Sequence, residues 1–265
     1  GGRAVAGFRD IIDEPGFVRD LWSRTGVYET LRDHYEAICV YGSREVTDFG
    51  ADLGLDGELA ERVSYTGYLA GVVQPRPGFS RQKPEILACT GGGADGGKLL
   101  EMFILAMRDR EATAEGSPGS AQVVGGPLLD EQELGRLRSL AGESSVNVSR
   151  FILDLDQRIA DDDLVVTMPG YNTTCELLSG HARAIVVPRH GPSQEQRMRA
   201  AWLTDWERAD VIDPLDLTPE LLAATIHEVM LKPPPPPPPV PLDGLARMGA
   251  LLEAMATGQD VPVTQ

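Results

Sequence analysis

Two polar loops follow short apolar strands within residues 163–196, and their residue types suit an anionic ligand. The run 164–168 is apolar and rich in β-branched residues, and the letters PGYN at 169–172 end it before a helix predicted at 173–180. A strand that turns into a helix start directs free backbone N–H groups and the positive end of the helix dipole at a ligand above the sheet. The sequence therefore predicts an anion-binding turn here.

Glu176 lies one turn into that predicted helix. Its carboxylate is poorly placed to hold a phosphate, but it can accept hydrogen bonds from the diol of a neighbouring sugar, so we expect a nucleotide ribose. Thr173 and Thr174 have a structural alternative, because they could cap the helix while Glu176 completes a capping box. Ligand contact and capping are compatible with each other.

The loop at 90–98, TGGGADGGK, closes one predicted strand and opens a helix. Its glycines allow a backbone to approach a phosphate closely. It lacks the residue order of a P-loop. The loose GxGxxG of Gly91, Gly93 and Gly96 is weak without an acidic residue at a strand end about 20 positions later, so nicotinamide binding is not favoured. Lys98 is either a phosphate partner or an exposed first-turn lysine.

From about residue 84 onward, short apolar runs alternate with segments of helical periodicity, at intervals of roughly 20 to 30 residues. These elements must position the loops described above. This pattern predicts an α/β fold with a parallel, Rossmann-like sheet. The predicted strands are 85–90, 121–125, 145–149, 164–168, 184–187 and 211–212. The predicted helices are 97–110, 130–141, 155–161, 173–180, 194–207 and 218–231. Because loops after parallel strands meet at one sheet edge, four loops are expected to converge on one ligand: 91–97, 150–154, 169–173 and 188–196.

The rest of the chain divides at shifts in composition. Residues 1–70 are interpreted as part of a second α/β domain, with a helical stretch before a strand at 37–41. Residues 71–84 contain three prolines and are predicted to form a linker ahead of the domain at 85–232. The unbroken prolines within 233–241 predict a stiff polyproline II spacer, with a docking motif for an SH3-like partner as the alternative. A C-terminal segment, 242–265, carries the last predicted helix at 242–256.

Composition and charge exclude several classes of function. The net charge of −16 disfavours nucleic acid and anionic membrane surfaces as partners. No window approaches the roughly 18 to 20 apolar residues of a membrane span and no leader pattern is present, so we expect a cytoplasmic protein without an integral membrane segment. The three cysteines are scattered, so they are interpreted as small buried residues, not as a disulfide framework or a zinc site.

Four segments in this order resemble the C-terminal, donor-binding half of GT-B glycosyltransferases: GGGADGG, RFILDL, PGYNTTCE and VPRHGPSQEQ. Within that fold they resemble the MurG-like branch, family 28, and a bacterial group of predicted glycosyltransferases. The resemblance covers about residues 84–231, and residues 8–69 are similar to the later part of that group's N-terminal domain. Its order and spacing are more specific than any single motif.

The resemblance implies a site for a nucleotide diphosphate-sugar. The implied contacts are Gly92, Gly93 and Ala94 beside the diphosphate, Phe151 and Ile152 at a uracil-type base, Asn172, Thr173 and Thr174 at the diphosphate, Glu176 at the ribose, and Glu195 and Gln196 at the sugar hydroxyls. Arg189 is our candidate for stabilising charge on the leaving diphosphate. Structural alternatives remain: Phe151 could belong to the core, Glu195 and Gln196 could be ordinary first-turn helix residues, and His181 and His190 could be surface residues.

The implied activity is an inverting, metal-independent glycosyltransferase that moves a sugar from a UDP- or dTDP-sugar to an unidentified acceptor hydroxyl. No metal-binding DxD motif is assigned, because the acids at 161–163 are interpreted as a helix end that enters a strand. No cofactor is expected, because the nucleotide-sugar is a substrate. Two alternatives stay open: an epimerase or hydrolase of the same fold, which would consume donor without an acceptor, and a noncatalytic nucleotide-sugar-binding subunit, which would need a partner for turnover.

The acceptor half of such an enzyme is largely missing from this sequence. In the family the N-terminal domain normally begins well before the position matched by Gly1, and it carries a glycine-rich loop and a base candidate. A truncated or proteolysed chain, an incomplete sequence, and a donor subunit that borrows its acceptor half from another chain, as bipartite GlcNAc transferases do, would each explain this. We expect an incomplete sequence. The catalytic base is unassigned, since nothing specific marks His34.

Overall fold

The computed structural model describes residues 3–71, 85–92, 95–112 and 120–257. The chain divides into two compact units. The first contains the residues up to Ala70, residues 193–198 and the chain from Pro239 onward, and the second contains residues 71–192 and 199–238. The predicted linker at 71–84, apart from Gly71, lies outside the described residues.

The first unit is built on three parallel strands in the order β1-β2-β3. Its elements are β1 (Val5–Arg9), α1 (Pro15–Thr25), α2 (Val27–His34), β2 (Ala37–Tyr41), α3 (Phe49–Asp52), α4 (Gly57–Glu61) and β3 (Val63–Tyr65). The Glu14 side chain caps α1 by accepting hydrogen bonds from the backbone N–H groups of Gly16 and Phe17. The strand predicted at 37–41 is confirmed as β2, whereas β1 and the three-residue β3 were not predicted.

The second unit contains six parallel strands, in the order β6-β5-β4-β7-β8-β9. Its elements are β4 (Glu85–Cys89), α5 (Gly97–Ala112), β5 (Ser120–Val124), α6 (Glu131–Ala141), β6 (Val146–Ser149), α7 (Leu155–Asp161), β7 (Leu164–Thr167), α8 (Tyr171–Ser179), β8 (Arg183–Val186), α9 (Glu195–Asp205), β9 (Asp210–Val211) and α10 (Pro219–Leu231). Every strand and helix predicted for this region is therefore confirmed to within two residues at each end.

The sheet of the second unit is buried on both faces. All of β7 is inaccessible to solvent, and α5 alone contributes six buried residues to the main core. This explains why the central strands β4 and β7 are nearly continuous apolar runs without alternation. The second unit begins with β4 in the middle of the sheet. Strands β5 and β6 follow on one side of β4, and strands β7, β8 and β9 follow on the other. Such a reversal opens a crevice at the carboxyl ends of the central strands, between the loops after β4 and β7.

The C-terminal helix α11 (Gly244–Thr257) belongs to the first unit. Its Leu251 and Met255 pack against Ala37 and Cys39 of β2. Before it, the proline run lies outside any helix or strand, and only Pro235 and Pro238 are half-buried. That spacing of three fits one face of a polyproline II helix.

The predictions for the cysteines and for the acids at 161–163 agree with the structure. Cys39, Cys89 and Cys175 are all buried free thiols, as expected. The acids at 161–163 do join a helix to a strand, because α7 ends at Asp161 and β7 begins at Leu164. Over the described ranges, no helix combines the length and the apolar character that a membrane span requires.

Candidate functional site

The glycine-rich loop after β4 lies against the loop after β5 through its backbone. The N–H of Leu128, in the loop after β5, donates a hydrogen bond to the carbonyl of Gly92 at 2.9 Å. Gly126 has a φ of 86°, and a Cβ added there would overlap the carbonyl oxygen of Gly91 and lie 2.9 Å from the carbonyl carbon of Gly92. Only glycine fits such an approach. Of the loop residues predicted to contact diphosphate, Gly93 and Ala94 lie outside the described residues.

The same loop also approaches the start of α8. A Cβ built on Gly91 would lie 3.7 Å from Oγ1 of Thr173. Gly91 itself has a φ of 59°, which a residue with a side chain rarely adopts. The structure thus brings together two segments that are about 80 positions apart in the sequence and that were predicted to share a phosphate.

The loop after β6 is fixed to the loop after β5 by one backbone hydrogen bond and one hydrogen bond from a side chain. The N–H of Gly126 donates to the carbonyl of Arg150 at 3.0 Å, and Nη1 of Arg150 donates to the carbonyl of Leu129. The next residue, Phe151, is 62% exposed, so the alternative that it belongs to the core is wrong. Ile152 is half-buried. An exposed aromatic ring on a fixed loop is available to stack on a base.

Helix α8 begins two residues earlier than predicted. Gly170 is its N-cap, and no side chain caps the first turn, so the capping-box alternative for Thr173, Thr174 and Glu176 is wrong. Asn172 is exposed in that first turn, whereas Thr173 is buried. Thr174 is completely buried, and within the described ranges its Oγ1 has no hydrogen-bond partner. Because a buried hydroxyl without a partner is costly, this end of α8 is suited to a ligand that supplies one.

Glu176 sits half-buried on α8 behind this turn. Burial, and to a smaller extent the negative charge of Asp156, raise the pKa of its carboxyl to about 7. At neutral pH the group is therefore present in both protonation states. A diol that donates two hydrogen bonds to the carboxylate would replace the hydration that burial removes.

Arg189, in the loop after β8, pairs with Asp95 of the glycine-rich loop, with Nη2 3.0 Å from Oδ2. Both line a cavity of about 550 Å³ at this edge of the sheet, as do Lys98 and His190. Lys98 is exposed, which fits the alternative of an ordinary first-turn lysine. Since the Arg189 guanidinium contacts a carboxylate here, its role at a leaving diphosphate stays a prediction.

The two residues predicted to contact the sugar hydroxyls, Glu195 and Gln196, are the first residues of α9 and group with the first unit. Glu195 is half-buried and Gln196 is buried. Their role at the donor sugar stays a prediction. His181 is exposed, and its Nε2 lies 3.1 Å from Oδ1 of Asp161. This agrees with the alternative that His181 is a surface residue. His34 is exposed at the end of α2.

Sequence reasoning missed Arg199. This arginine is fully buried, and its Nη1 donates to the carbonyl of Pro169, 2.8 Å away, in the turn that leads into α8. A signal for it exists, because Arg199 shares the buried stripe of α9 with Gln196, Ala200 and Leu203. A charged residue at a position of helical periodicity that should be apolar indicates a specific role.

Two curated proteins related to this chain are enzymes of one kind. The UDP-N-acetylglucosamine--N-acetylmuramyl-(pentapeptide) pyrophosphoryl-undecaprenol N-acetylglucosamine transferase of Haemophilus influenzae (strain PittEE) is 34% identical over 92 residues, which are 34% of this chain and 26% of that enzyme. The enzyme of the same name from Actinobacillus pleuropneumoniae serotype 5b is 24% identical over 169 residues, 61% of this chain and 44% of the relative. The chain thus spans less than half the length of these relatives.

Solved structures share the fold at low sequence identity. MurG of Acinetobacter baumannii superposes with a TM-score of 0.53 at 14% identity, covering 100% of this chain and 97% of that chain. The glycotransferase of kitacinnamycin gives a TM-score of 0.54 at 19% identity, covering 92% and 63%. Both likenesses concern the fold, which is that of GT-B glycosyltransferases.

The match to a family model covers the site itself. The model described as "Glycosyltransferase family 28 C-terminal domain" matches residues 90–238, which include the glycine-rich loop, the loop after β6, α8 and the loop after β8. This agrees with the extent expected from the four sequence segments. The chain therefore belongs to glycosyltransferase family 28, whose C-terminal domain it carries.

Proposed function

We propose that the second unit binds a UDP- or dTDP-sugar at the carboxyl edge of its sheet and that the sugar is transferred, with inversion, to an acceptor hydroxyl. The observation that carries this proposal is the meeting of three loops at one place. Gly91 lies beside Thr173 of α8, and Gly126 joins the glycine-rich loop to Arg150, immediately before Phe151. These loops provide separate groups for the phosphate, ribose and base parts of one ligand.

The diphosphate is proposed to lie at the first turn of α8. The N-cap, Gly170, offers no side chain to the N–H groups of that turn, so an anion would supply the acceptor that a capping side chain provides in other helices. The Thr174 hydroxyl, which is buried without a partner among the described residues, can donate a further hydrogen bond. We propose that these dipoles take over the charge stabilisation that a metal ion provides in other transferases.

Glu176 and Phe151 are proposed to recognise the nucleoside. Glu176 would accept hydrogen bonds from the ribose diol, while the exposed Phe151 ring would cover the base. Ile152 would contribute main-chain groups beside it. Separate contacts for ribose and base predict that uridine alone binds measurably, although more weakly than UDP.

In the proposed reaction the acceptor oxygen attacks the anomeric carbon from the side opposite the diphosphate. A bond between the acceptor oxygen and carbon forms, the bond between carbon and the diphosphate oxygen breaks, and the acceptor proton passes to a base that is not assigned. Negative charge grows on the departing diphosphate, where the α8 turn would stabilise it. We expect the reaction in the cytoplasm.

Calorimetric titration with UDP, UDP-GlcNAc, dTDP and GDP tests this proposal. We expect a uridine or thymidine diphosphate to bind and Glu176→Ala to lose at least about tenfold in affinity, as expected for two hydrogen bonds to a carboxylate. Glu220→Ala is the matched control, because Glu220 is an exposed acid in the first turn of α10. Absence of nucleotide binding, or equal affinities for Glu176→Ala and the wild type, would refute the site.

The second candidate function is a noncatalytic subunit that binds the nucleotide-sugar and needs a partner acceptor domain. The two enzymes named above are matched over 26% and 44% of their length. Such a subunit would bind the donor without turnover until the partner is added. Measurement of UDP release from UDP-GlcNAc, with and without candidate acceptors, distinguishes the two. Release without any acceptor would instead indicate a hydrolase.

A further inference from the structure

The cavity of about 550 Å³ in the second unit lies beside the proposed donor contacts and is largely separate from them. Its walls come from the start of α5, the end of β7 and the loops after β8 and β9. Among the described residues that are proposed to contact the donor, only Arg189 lines it. Sites for small molecules typically have volumes of about 300 to 1,000 Å³. The cavity is therefore large enough for a ligand of its own.

Most of the cavity wall is apolar. Leu99 and Leu217 are buried at the wall, whereas Leu215 is 70% exposed. The N–H of Leu215 donates to Oδ1 of Asp213 at 2.9 Å, so the loop that carries this side chain is held in a turn. The other apolar lining residues are Met168, Val187, Pro188, Pro192 and Pro214. An exposed leucine on a fixed loop of an apolar cavity favours a ligand with an apolar body, because that ligand would remove the side chain from water.

The charged groups at the cavity are not balanced. Arg189 and Asp95 pair with each other, with Nη2 3.0 Å from Oδ2. Lys98 and His190 also line the cavity, and neither forms a hydrogen bond or an ion pair with another residue of the described ranges. The first turn of α5, which carries Lys98, contains no acidic residue. In a chain with a net charge of −16, two basic side chains without an acid at one cavity favour an anionic ligand.

We propose that this cavity is a second ligand site and that its ligand is an amphipathic anion, which has a carboxylate or phosphate group on an aliphatic body. Lys98 and His190 would donate hydrogen bonds to the anionic group, while Leu215 and the buried wall would cover the aliphatic part. Because the donor contacts lie outside the cavity apart from Arg189, this ligand is bound together with the nucleotide and does not replace it. The inference goes beyond the proposed function and does not depend on it.

Calorimetric titration of the wild-type 265-residue chain with octanoate, octyl phosphate and 1-octanol tests the proposal, because these probes carry the same alkyl chain. We expect at least one of the two anions to bind about tenfold or more tightly than 1-octanol. Tighter binding of octanoate identifies a carboxylate ligand, and tighter binding of octyl phosphate identifies a phosphate ligand. Saturating UDP should change the affinity for the preferred anion by less than about twofold.

Two matched pairs of variants test the residues. Lys98→Gln should lose most of the preference for the anion over 1-octanol, whereas Lys232→Gln, which removes a lysine that pairs with Asp210 at the start of β9, should retain it. Leu215→Ala should weaken both the anion and 1-octanol by about three- to tenfold. Leu231→Ala is the control for Leu215→Ala, since Leu231 is 75% exposed and does not line the cavity.

Three results would overturn the inference: no binding of either anion, equal affinities for the anions and 1-octanol, or the same preference in Lys98→Gln as in the wild type. Displacement of the bound anion by UDP would also overturn it, because the cavity would then belong to the donor site. If the anion binds as described but UDP does not bind, the proposed function fails and the second site stands.

Discussion

The six-stranded sheet uses polar residues differently at the amino-terminal ends of its strands, which we call the amino edge, and at their carboxyl-terminal ends, the carboxyl edge. At the amino edge they bind one another: Asp163 accepts a hydrogen bond from the N–H of Glu85 at 2.8 Å, and Arg158 pairs with the buried Asp162 at 2.8 Å. At the carboxyl edge, Thr174 carries a buried hydroxyl without a partner among the described residues, and the pKa of Glu176 is raised to about 7. Arg189 and Asp95 pair with each other at the carboxyl edge as well, so the contrast lies in Thr174 and Glu176, which we propose are available to a ligand.

The largest effect on ligand binding is expected at Gly126, where the carboxyl-edge loops touch. Gly126→Ala places a Cβ against the carbonyl of Gly91 at a positive φ, which should cost roughly 3 kcal/mol and displace the glycine-rich loop. UDP affinity should fall below detection in calorimetry. Gly135→Ala is the control, because Gly135 lies in α6 with open space around it and should gain about 0.5 to 1 kcal/mol. Undiminished binding by Gly126→Ala would remove the contrast between the edges.

A change of similar size is expected at the amino edge, but in stability alone. Asp162→Ala leaves the half-buried Arg158 without this carboxylate and should lower the free energy of unfolding by about 3 kcal/mol. The affinity of the folded protein for UDP should not change. Asp210→Ala, which breaks the more exposed pair with Lys232, should cost less than about 1 kcal/mol. Urea denaturation and calorimetry separate the two properties, and a large loss of affinity in Asp162→Ala would contradict the assignment of this edge to stability.

A smaller, pH-dependent effect on the free energy of unfolding is expected at Glu176. Its folded-state pKa of about 7 lies above its usual value of 4.5, so the folded protein holds the proton more tightly than the unfolded chain. Stability from this group is present below pH 4.5 and is lost as the pH rises through 7. Glu176→Gln should therefore match the wild type near pH 4 and exceed it at pH 8, by on the order of 2 kcal/mol after allowance for partial exposure.

Urea denaturation of wild type and Glu176→Gln at several pH values measures the difference between their free energies of unfolding. Other titrating groups contribute equally to both proteins, so their contributions cancel in this difference. Uridine affinity supplies a second readout, since uridine has no phosphate that titrates in this range. The affinity of the wild type for uridine should rise as the pH increases from 6 to 8, because this range spans the Glu176 pKa of about 7. The affinity of Glu176→Gln for uridine should stay constant. A constant stability difference between pH 4 and pH 8 would show that the carboxyl is not desolvated.

The smallest effect is expected at Phe151. Loss of a stacked base contact in Phe151→Ala should weaken uridine binding by about 1 to 2 kcal/mol without lowering Tm, because the ring is 62% exposed. Leu153→Ala is the matched control, since Leu153 is 93% exposed in the same loop and has no proposed contact. If both variants bind uridine equally, the ring does not cover the base.

The second unit could be predicted from the sequence because buried parallel strands are continuous apolar runs and their loops must share an edge. The start of α8 was placed too late because its N-cap, Gly170, has no side chain that marks a cap. The pair of Asp95 and Arg189 was not predicted, since it joins two distant loops whose conformations no local pattern specifies. Strand β3 has only three residues, which is too short for periodicity to register.

Backbone hydrogen–deuterium exchange with and without saturating UDP-GlcNAc tests the central claim most directly, because it reports on both edges in one experiment. We predict slower exchange at residues 90–92, 150–154 and 170–176, together with unchanged exchange at residues 158–164 and 208–211. Protection confined to the amino edge, or no protection at the carboxyl edge when calorimetry shows the ligand bound, would contradict the account.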